Sequence, residues 1–573
     1  GLLVSLFDDP EKRFFAAILD PFGDSAIQYY TRYWTVSEQN ELHLPIKEVL
    51  IYNRLLWSGI GLLIFGTIYK VFSFSQNAFT FSFNNKESKR ITKSNFGGII
   101  KINLPKVSFD FSFTNQLKSL WKLSTVDFLF VVKSWPFICI VIVGLLINLI
   151  GLSELGNVFG TSTLPRTWRM LAAGNTFALA INICTFLYAG LLIHRSRIAN
   201  INQLIDVSPT QNWVLFGSKF LAIFMMQLAL SSLIIITGLI FQAYNGFYDF
   251  EISLYLYEVF ALSLIYYVIW TFLTFLVQTL ITSPYVGLFV MIVLLIGIPL
   301  MSLAGVEQSI FKYNQGPGYS YSDMNGYGET INRYFIYKIY WLSLGLVFCI
   351  LTALFYVRGL PSNFNEKITI AKSRFKGKYP FFITFFTLIF ISIGGYIYYE
   401  NNVSNIRTTQ KESEIITVEG EKKYKKYESY AQPRIVSVNV NVDIFPSSRD
   451  VIASGEYVMI NKTSEEIDSI FLDHNNLIST FKFDKETDLV SEDTIYNFDI
   501  HKLKTPLFPG DSLKLLFTVK NKPNTILRNN SSVISNGTFI NNSIFPSLGY
   551  SLGELSDDKT RKKYDLPPNK LKS

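Results

Sequence analysis

The chain has 573 residues, 49% hydrophobic and only 17% charged, with 52 Lys and Arg against 44 Asp and Glu for a net charge of +8. Soluble domains carry about a quarter charged residues, so a single soluble globular domain is excluded, and the basic excess belongs to membrane loops rather than to nucleic-acid binding. The three cysteines (Cys139, Cys184, Cys349) all lie in apolar runs, which excludes a disulfide framework or a CxxC metal knuckle.

Gly1-Leu2-Leu3-Val4-Ser5-Leu6-Phe7 reads as the end of an earlier apolar helix without the basic flank of a signal peptide. The chain is therefore expected to be a fragment whose first helices precede it, the alternative being a local amphipathic turn. In residues 8–54, Phe14, Phe15, Ile18, Leu19 and Phe22 recur at helical spacing, with a turn at Asp20-Pro21-Phe22-Gly23.

A bilayer core of about 30 Å needs about 20 mostly apolar residues per helix. Eight segments qualify: 55–71, 135–152, 177–193, 220–241, 259–277, 285–303, 340–357 and 381–399. Between the first two lie nine basic residues, from Lys86 to Lys133, against three acidic ones. Between the last two, six basic residues face Glu366 alone, whereas the loop after the fourth has Asp249, Glu251 and Glu258 and no base. Basic loops stay cytoplasmic, which places residues 1–54 and everything after Tyr399 outside. Residues 74–126 read as a basic cytoplasmic linker, with alternating Phe81 and Phe83, then Phe109, Phe111 and Phe113, suggesting short strands. No apolar span carries a central Asp, Glu, Lys or Arg, which argues against a secondary transporter. Asn148, Asn182 and Gln227 are expected to make ordinary interhelical hydrogen bonds.

Two long outside segments each lead through an Asn-Arg pair, Asn53-Arg54 and Asn332-Arg333, into a helix and then a basic loop. That order suggests a tandem duplication of a six-helix half. The outside loop 304–339 is Gly- and Tyr-rich from Gly316 to Gly328 and reads as a flexible or lid-like loop. The tail alternates at Ile435, Val436, Val438, Val440, Val442 and Ile444 and again at Leu513, Leu515, Phe517 and Val519, with turn signals between. It reads as an antiparallel β-sandwich, joined to the last span by a solvated charge run, Lys422 to Lys426. The Asn-x-Ser/Thr matches at Asn461, Asn530 and Asn536 mark exposed turns.

The loop between the third and fourth spans is the most informative. His194-Arg195-Ser196-Arg197 leads into Ile198, Ile201, Leu204, Ile205 and Val207 at helical spacing, then Ser208-Pro209, then Gly217-Ser218-Lys219 at the mouth of the next span. A short amphipathic helix under a membrane suits docking into a partner's groove, or simple contact with lipid headgroups. This order resembles the coupling loop of ABC-2 type permeases, and six helices with a long outside loop before the last are similar to that fold.

The resemblance implies a polytopic α-helical membrane protein whose segment 1–54 and helix 55–73 end a preceding permease half. The linker 74–126, a six-helix unit 127–358 and a connection 359–400 follow. It also implies that Arg195, Arg197, Ile201, Leu204, Ile205, Pro209 and Lys219 face an ABC ATP-binding subunit. There is no GxxxxGK[ST], so ATP is expected on that partner and no cofactor on this chain. The bilayer, and a second permease half or a homodimer, are the other expected partners; nucleic acid is not one.

Pro433-Arg434-Ile435 into Val438–Ile444, then Gly455-Glu456-Tyr457, Asn536-Gly537-Thr538 and Phe545-Pro546-Ser547-Leu548-Gly549-Tyr550, resemble the N-terminal β-domain of aminopeptidase N-type zinc metallopeptidases. Permeases fused to such a region in bacteria have a similar layout, which implies that 401–573 is periplasmic at the inner membrane. That family's HExxH and GxMEN motifs are absent; the four histidines (His43, His194, His474, His501) include no i, i+4 pair. No enzymatic activity is expected of this chain. The rival readings are a membrane-anchored aminopeptidase whose zinc domain lies beyond Ser573, and an interaction module that has lost transport.

Overall fold

In a computed structural model of the chain the described residues are 13–34, 38, 42, 46–71, 112–155, 157–158, 161–358, 364–404, 408–474, 478–521, 533–534, 536 and 538–568. Among the described residues, seven helices are long and apolar enough to cross a membrane. The eighth expected span is the shorter apolar helix Pro284–Leu300. The chain divides into two compact units, 1–115 with 145–165, and 116–144 with 166–573.

In the first unit, α1 (Arg13–Leu19) and α2 (Asp24–Thr31) flank the expected turn. Asp20 holds that turn by accepting from the Phe22 and Ser25 backbone N–H groups at 3.1 and 2.7 Å, and Gly23 sits at φ 80°. Ala17, Ala26 and Val49 form the small core against α3 (Glu48–Val71). Asn53 is fully buried and donates to the carbonyls of Ala17, Ile18 and Asp20, which closes the end of α1. Asn332, by contrast, donates to Glu329 at the surface. The two Asn-Arg pairs thus do different local work. Of the expected short strands, Phe81, Phe83, Phe109 and Phe111 lie outside the described residues. Phe113 instead opens α4 (Phe113–Val132), with the Ser112 hydroxyl accepting from the Asn115 backbone N–H.

The helices of the second unit, after α4 and α5 (Trp135–Glu154), are α6 (Thr167–Gly174), α7 (Ala178–Ile198), α8 (Asn202–Val207), α9 (Asn212–Tyr244) and α10 (Ile252–Leu256). A π-helical turn, Tyr257–Ser263, leads into α11 (Leu264–Leu280). Then come α12 (Pro284–Leu300), α13 (Thr330–Phe355), α14 (Phe364–Arg374) and α15 (Lys378–Asn402). Gln227 makes the expected interhelical bonds, donating to Thr185 Oγ1 and Thr271 Oγ1 at 3.0 and 2.8 Å. The apolar runs carry no central charge, but two of the helices extend beyond their runs and take up charges there. Helix α13 begins at Thr330, ten residues before its apolar run, and buries Lys338; Glu258 lies in the helical run that continues into α11. Protein, rather than lipid, surrounds these helix ends, so polarity did not terminate them.

The tail folds as two four-stranded antiparallel sheets, as alternation predicts. The strands are β1 (Arg434–Phe445), β2 (Asp450–Ile460), β3 (Ile467–Asp473), β4 (Ile478–Phe483), β5 (Thr487–Asp493), β6 (Phe498–Leu507), β7 (Ser512–Asn521) and β8 (Ser547–Leu548). One sheet has the order β8-β3-β6-β5 and the other β1-β2-β7-β4. Between them lie Tyr457, Met459, Ile470, Leu472, Leu503, Leu513, Leu515 and Phe517.

The Lys422–Lys426 run is largely exposed, but it is helical rather than a bare linker. It ends α16 (Gln410–Tyr424), which starts in a Thr409–Glu412 capping box worth about 1 kcal/mol. Lys423 pairs with Asp493 at 2.7 Å and Lys425 with Glu554 at 2.8 Å. Asn461 is also buried, donating to the carbonyls of Glu465 and Leu507, so it is a turn clamp rather than an exposed acceptor.

Candidate functional site at the 195–219 turn

Helix α7 ends where Asn200 enters the left-handed region at φ 54°. The Ile201 N–H bonds Ser196 O at 2.9 Å and the Asn200 N–H bonds Arg197 O at 3.1 Å, which satisfies the last carbonyls in a Schellman motif. Arg195 and Arg197 in the last turn complement the negative end of the helix dipole. After six residues α8 stops at Ser208, which is extended because Pro209 follows it.

One side of this turn is bare and apolar. Leu204 is 79% and Val207 85% exposed, beside exposed Ile198 and Ile201. Ile205 is half-buried on the inner side, and Pro209 is exposed.

The other side is fixed by cations. Arg195 pairs with Asp127 of α4 at 2.6 Å and lies 4.3 Å over the Phe130 ring, while Lys219 reaches the second Asp127 oxygen at 3.9 Å. Arg358 donates to the carbonyls of Ser208 and Thr210, directly behind α8. Arg197 donates to Val357 O at 3.4 Å and Arg374 to Tyr356 O at 2.6 Å. Lys367 caps α11, giving protons to Thr279 O and Leu280 O at 3.0 and 3.2 Å. Burial, and then the Arg197 charge, hold its ammonium below the ordinary lysine value. Each helix end needs partners for its last carbonyls; here basic side chains supply them and tie α8 to α13 and α14.

The seven residues expected to meet a partner therefore divide. Ile201, Leu204 and Pro209 lie on the exposed side. Arg195, Arg197 and Lys219 are engaged within the fold, and Ile205 packs inward. Sequence reading missed Asp127, Arg358, Lys367 and Arg374. Asp127 carried a signal, as a single acid in a basic stretch running into an apolar helix.

At the opposite end of these helices, segment 309–316 is inserted among α11, α13 and α15 instead of arching over them as a loose loop. Tyr313 donates to Ile269 O at 2.7 Å, and its ring meets Trp270, Trp341 and Phe348 at 5.3 to 5.9 Å. Lys338 donates to Asn314 Oδ1 at 2.8 Å and Trp341 to Gln315 O at 2.6 Å. Buried non-helical backbone needs its polar groups satisfied in this way. The same end meets the tail: Asn536 donates to Met324 O at 2.7 Å, and the Gln410 N–H at the start of α16 donates to Glu307 at 3.0 Å.

Compared with protein-family models, with curated proteins and with solved structures, the chain matches none. His474 lies 3.8 Å from Asp499, and no group of three metal-ligating side chains occurs among the described residues. The 195–219 turn presents an exposed apolar row on a charged frame.

Proposed function

We propose that this chain is the permease subunit of an ABC-2 type transporter, with ATP hydrolysed on a separate subunit that docks on Ile201, Leu204 and Val207. In this reading the membrane is a bacterial inner membrane, the 195–219 turn is cytoplasmic, and the sandwich is a non-catalytic periplasmic domain. Its substrate is an amphiphile or peptide.

One observation carries the reading: α8 exposes a row of apolar side chains while its back is fixed by Arg358 and its root by Asp127–Arg195. A helix that only rests on headgroups needs no such frame. A rigid mount is what lets a stroke at α8 reach α13 through Arg358 and α4 through Asp127.

The test is co-purification of the chain with ATP-binding subunits, using Leu204→Glu as the control. Retention of an ATPase by the wild type and its release by the substitution support the proposal. Failure of every candidate to bind a chain that inserts properly would sink it and turn attention to the anchored-aminopeptidase reading.

A further inference from the structure

Tyrosines crowd one carboxylate near the entry of α11. Tyr327 donates to Glu258 Oε2 at 2.8 Å, and the Tyr319 hydroxyl engages the same carboxylate. The Tyr327 ring lies 5.5 Å from Tyr257, 5.7 Å from Tyr319 and 5.1 Å from Tyr321. Glu258 is half-buried on the π-helical turn, a geometry concentrated at functional sites. Two helical turns earlier, Glu251 Oε2 is buried without a hydrogen-bond partner.

Among the described residues no Lys or Arg pairs with Glu251 or Glu258; nearby Arg166 pairs instead with Asp249 at 3.9 Å. Lys338, 5.3 Å over the Tyr334 ring, is taken by Asn314. A carboxylate has about four acceptor positions, and two phenols fill only part of those on Glu258. Ring faces carry negative quadrupole charge and attract cations, ammonium groups above all. The negative surroundings are felt by the tyrosines themselves. Burial, and then the bond to Glu258, push the Tyr327 phenol up, while burial followed by the Glu251 charge does the same to Tyr321. Tyr257 and Tyr321 leave the cup partly open.

We propose that the tyrosine cup around Glu258 binds an organic ammonium group, primary or quaternary. The group is carried either by a lipid headgroup or by a free solute. Rings alone would suit any apolar ligand and a carboxylate alone any cation; together they select a cation with a soft, partly apolar shell. This assignment stands whether or not the chain transports.

The test uses the full chain in nanodiscs of phosphatidylglycerol, which has no ammonium. In one arm tetramethylammonium is titrated against sodium at constant ionic strength and followed by calorimetry. In the other, the discs instead hold equal amounts of phosphatidylethanolamine and phosphatidylglycerol, and native mass spectrometry compares how much of each lipid is retained. Saturable preference for the ammonium is expected in at least one arm: the lipid arm alone means a headgroup, the tetramethylammonium arm alone a free solute, and both arms a site open to either. Glu258→Gln and Tyr327→Leu each weaken it about tenfold, while Tyr327→Phe, which keeps the ring, stays within about threefold. Should Glu258→Gln fail to fold, Glu251→Gln is expected to weaken binding about threefold. No preference in either arm, or variants that bind like wild type, would overturn the proposal.

Discussion

Replacing Arg561 by Leu tests the attachment of α16 to the sandwich. Arg561 and Glu421 are 1% and 2% exposed and meet through two parallel bonds of 2.7 and 3.0 Å. The guanidinium also donates to Pro567 O and Leu555 O. Removing one partner of such a pair costs about 3–5 kcal/mol, because the other charge stays buried. Glu421 has one escape: burial already pushes its carboxyl up, and only Arg561 and Lys425 hold it below the ordinary 4.5. Without Arg561 it can take a proton, which from 4.5 costs roughly 3.4 kcal/mol at pH 7 but only about 0.7 at pH 5. The depressed carboxylate therefore contributes stability above its ordinary value and loses it as pH falls. The expected result is a loss of about 3 kcal/mol at pH 7, or roughly 100-fold in amide protection of β3 and β6. The gap between variant and wild type then narrows towards pH 5. Hydrogen exchange with mass spectrometry on the full chain, corrected for intrinsic rates, measures this. A loss under tenfold at pH 7, or an equal loss at both pH values, would refute the reasoning.

Three further outcomes are expected. Asp127→Asn removes the shared partner of Arg195 and Lys219 and costs about 1 kcal/mol, since Arg195 is partly exposed; trypsin should cleave after Arg195 or Arg197 several-fold faster, and an unchanged rate would mean the frame is not held there. Gly287→Ala places a Cβ 2.3 Å from Gln278 Oε1, in a slot whose other wall is Gly190, so a cost of about 1–3 kcal/mol and a lower melting temperature follow. His501 is held below the ordinary imidazole value by burial, which outweighs the Asp499 charge. The unfolded chain thus takes up this proton first, and stability falls as pH drops below about 6.5; His501→Phe should flatten that decline in a melting-temperature series between pH 7.5 and 5.

The eight apolar runs all became helices because hydropathy over 20 residues is a local signal that tertiary packing has little power to override. The sandwich was legible for the same reason, through the alternation of Val438, Val440 and Val442 or Leu513, Leu515 and Phe517. What stayed hidden depends on distant partners. The Asp127–Arg195 pair spans 68 positions and the Arg561–Glu421 pair spans 140. The partners of the exposed Lys422 and Lys423 and of half-buried Lys425, the Tyr564 carbonyl, Asp493 and Glu554, were hidden because they lie far along the chain. Phe113 continued an alternating pattern, yet the Ser112 cap before it marks a helix start, a signal weaker than the alternation that drew attention.

Segment 309–316 has an implication for how the chain is made. It leaves the ribosome before α13, which supplies Lys338, Tyr340 and Trp341 to its backbone and side chains, and before α15, whose Ile397 closes the cluster around Ile310. During synthesis its carbonyls must stay hydrated or be shielded by something else until both later helices have entered the bilayer. Seating this segment is therefore a late event in biogenesis, and a chain halted between α13 and α15 would hold it only on one side.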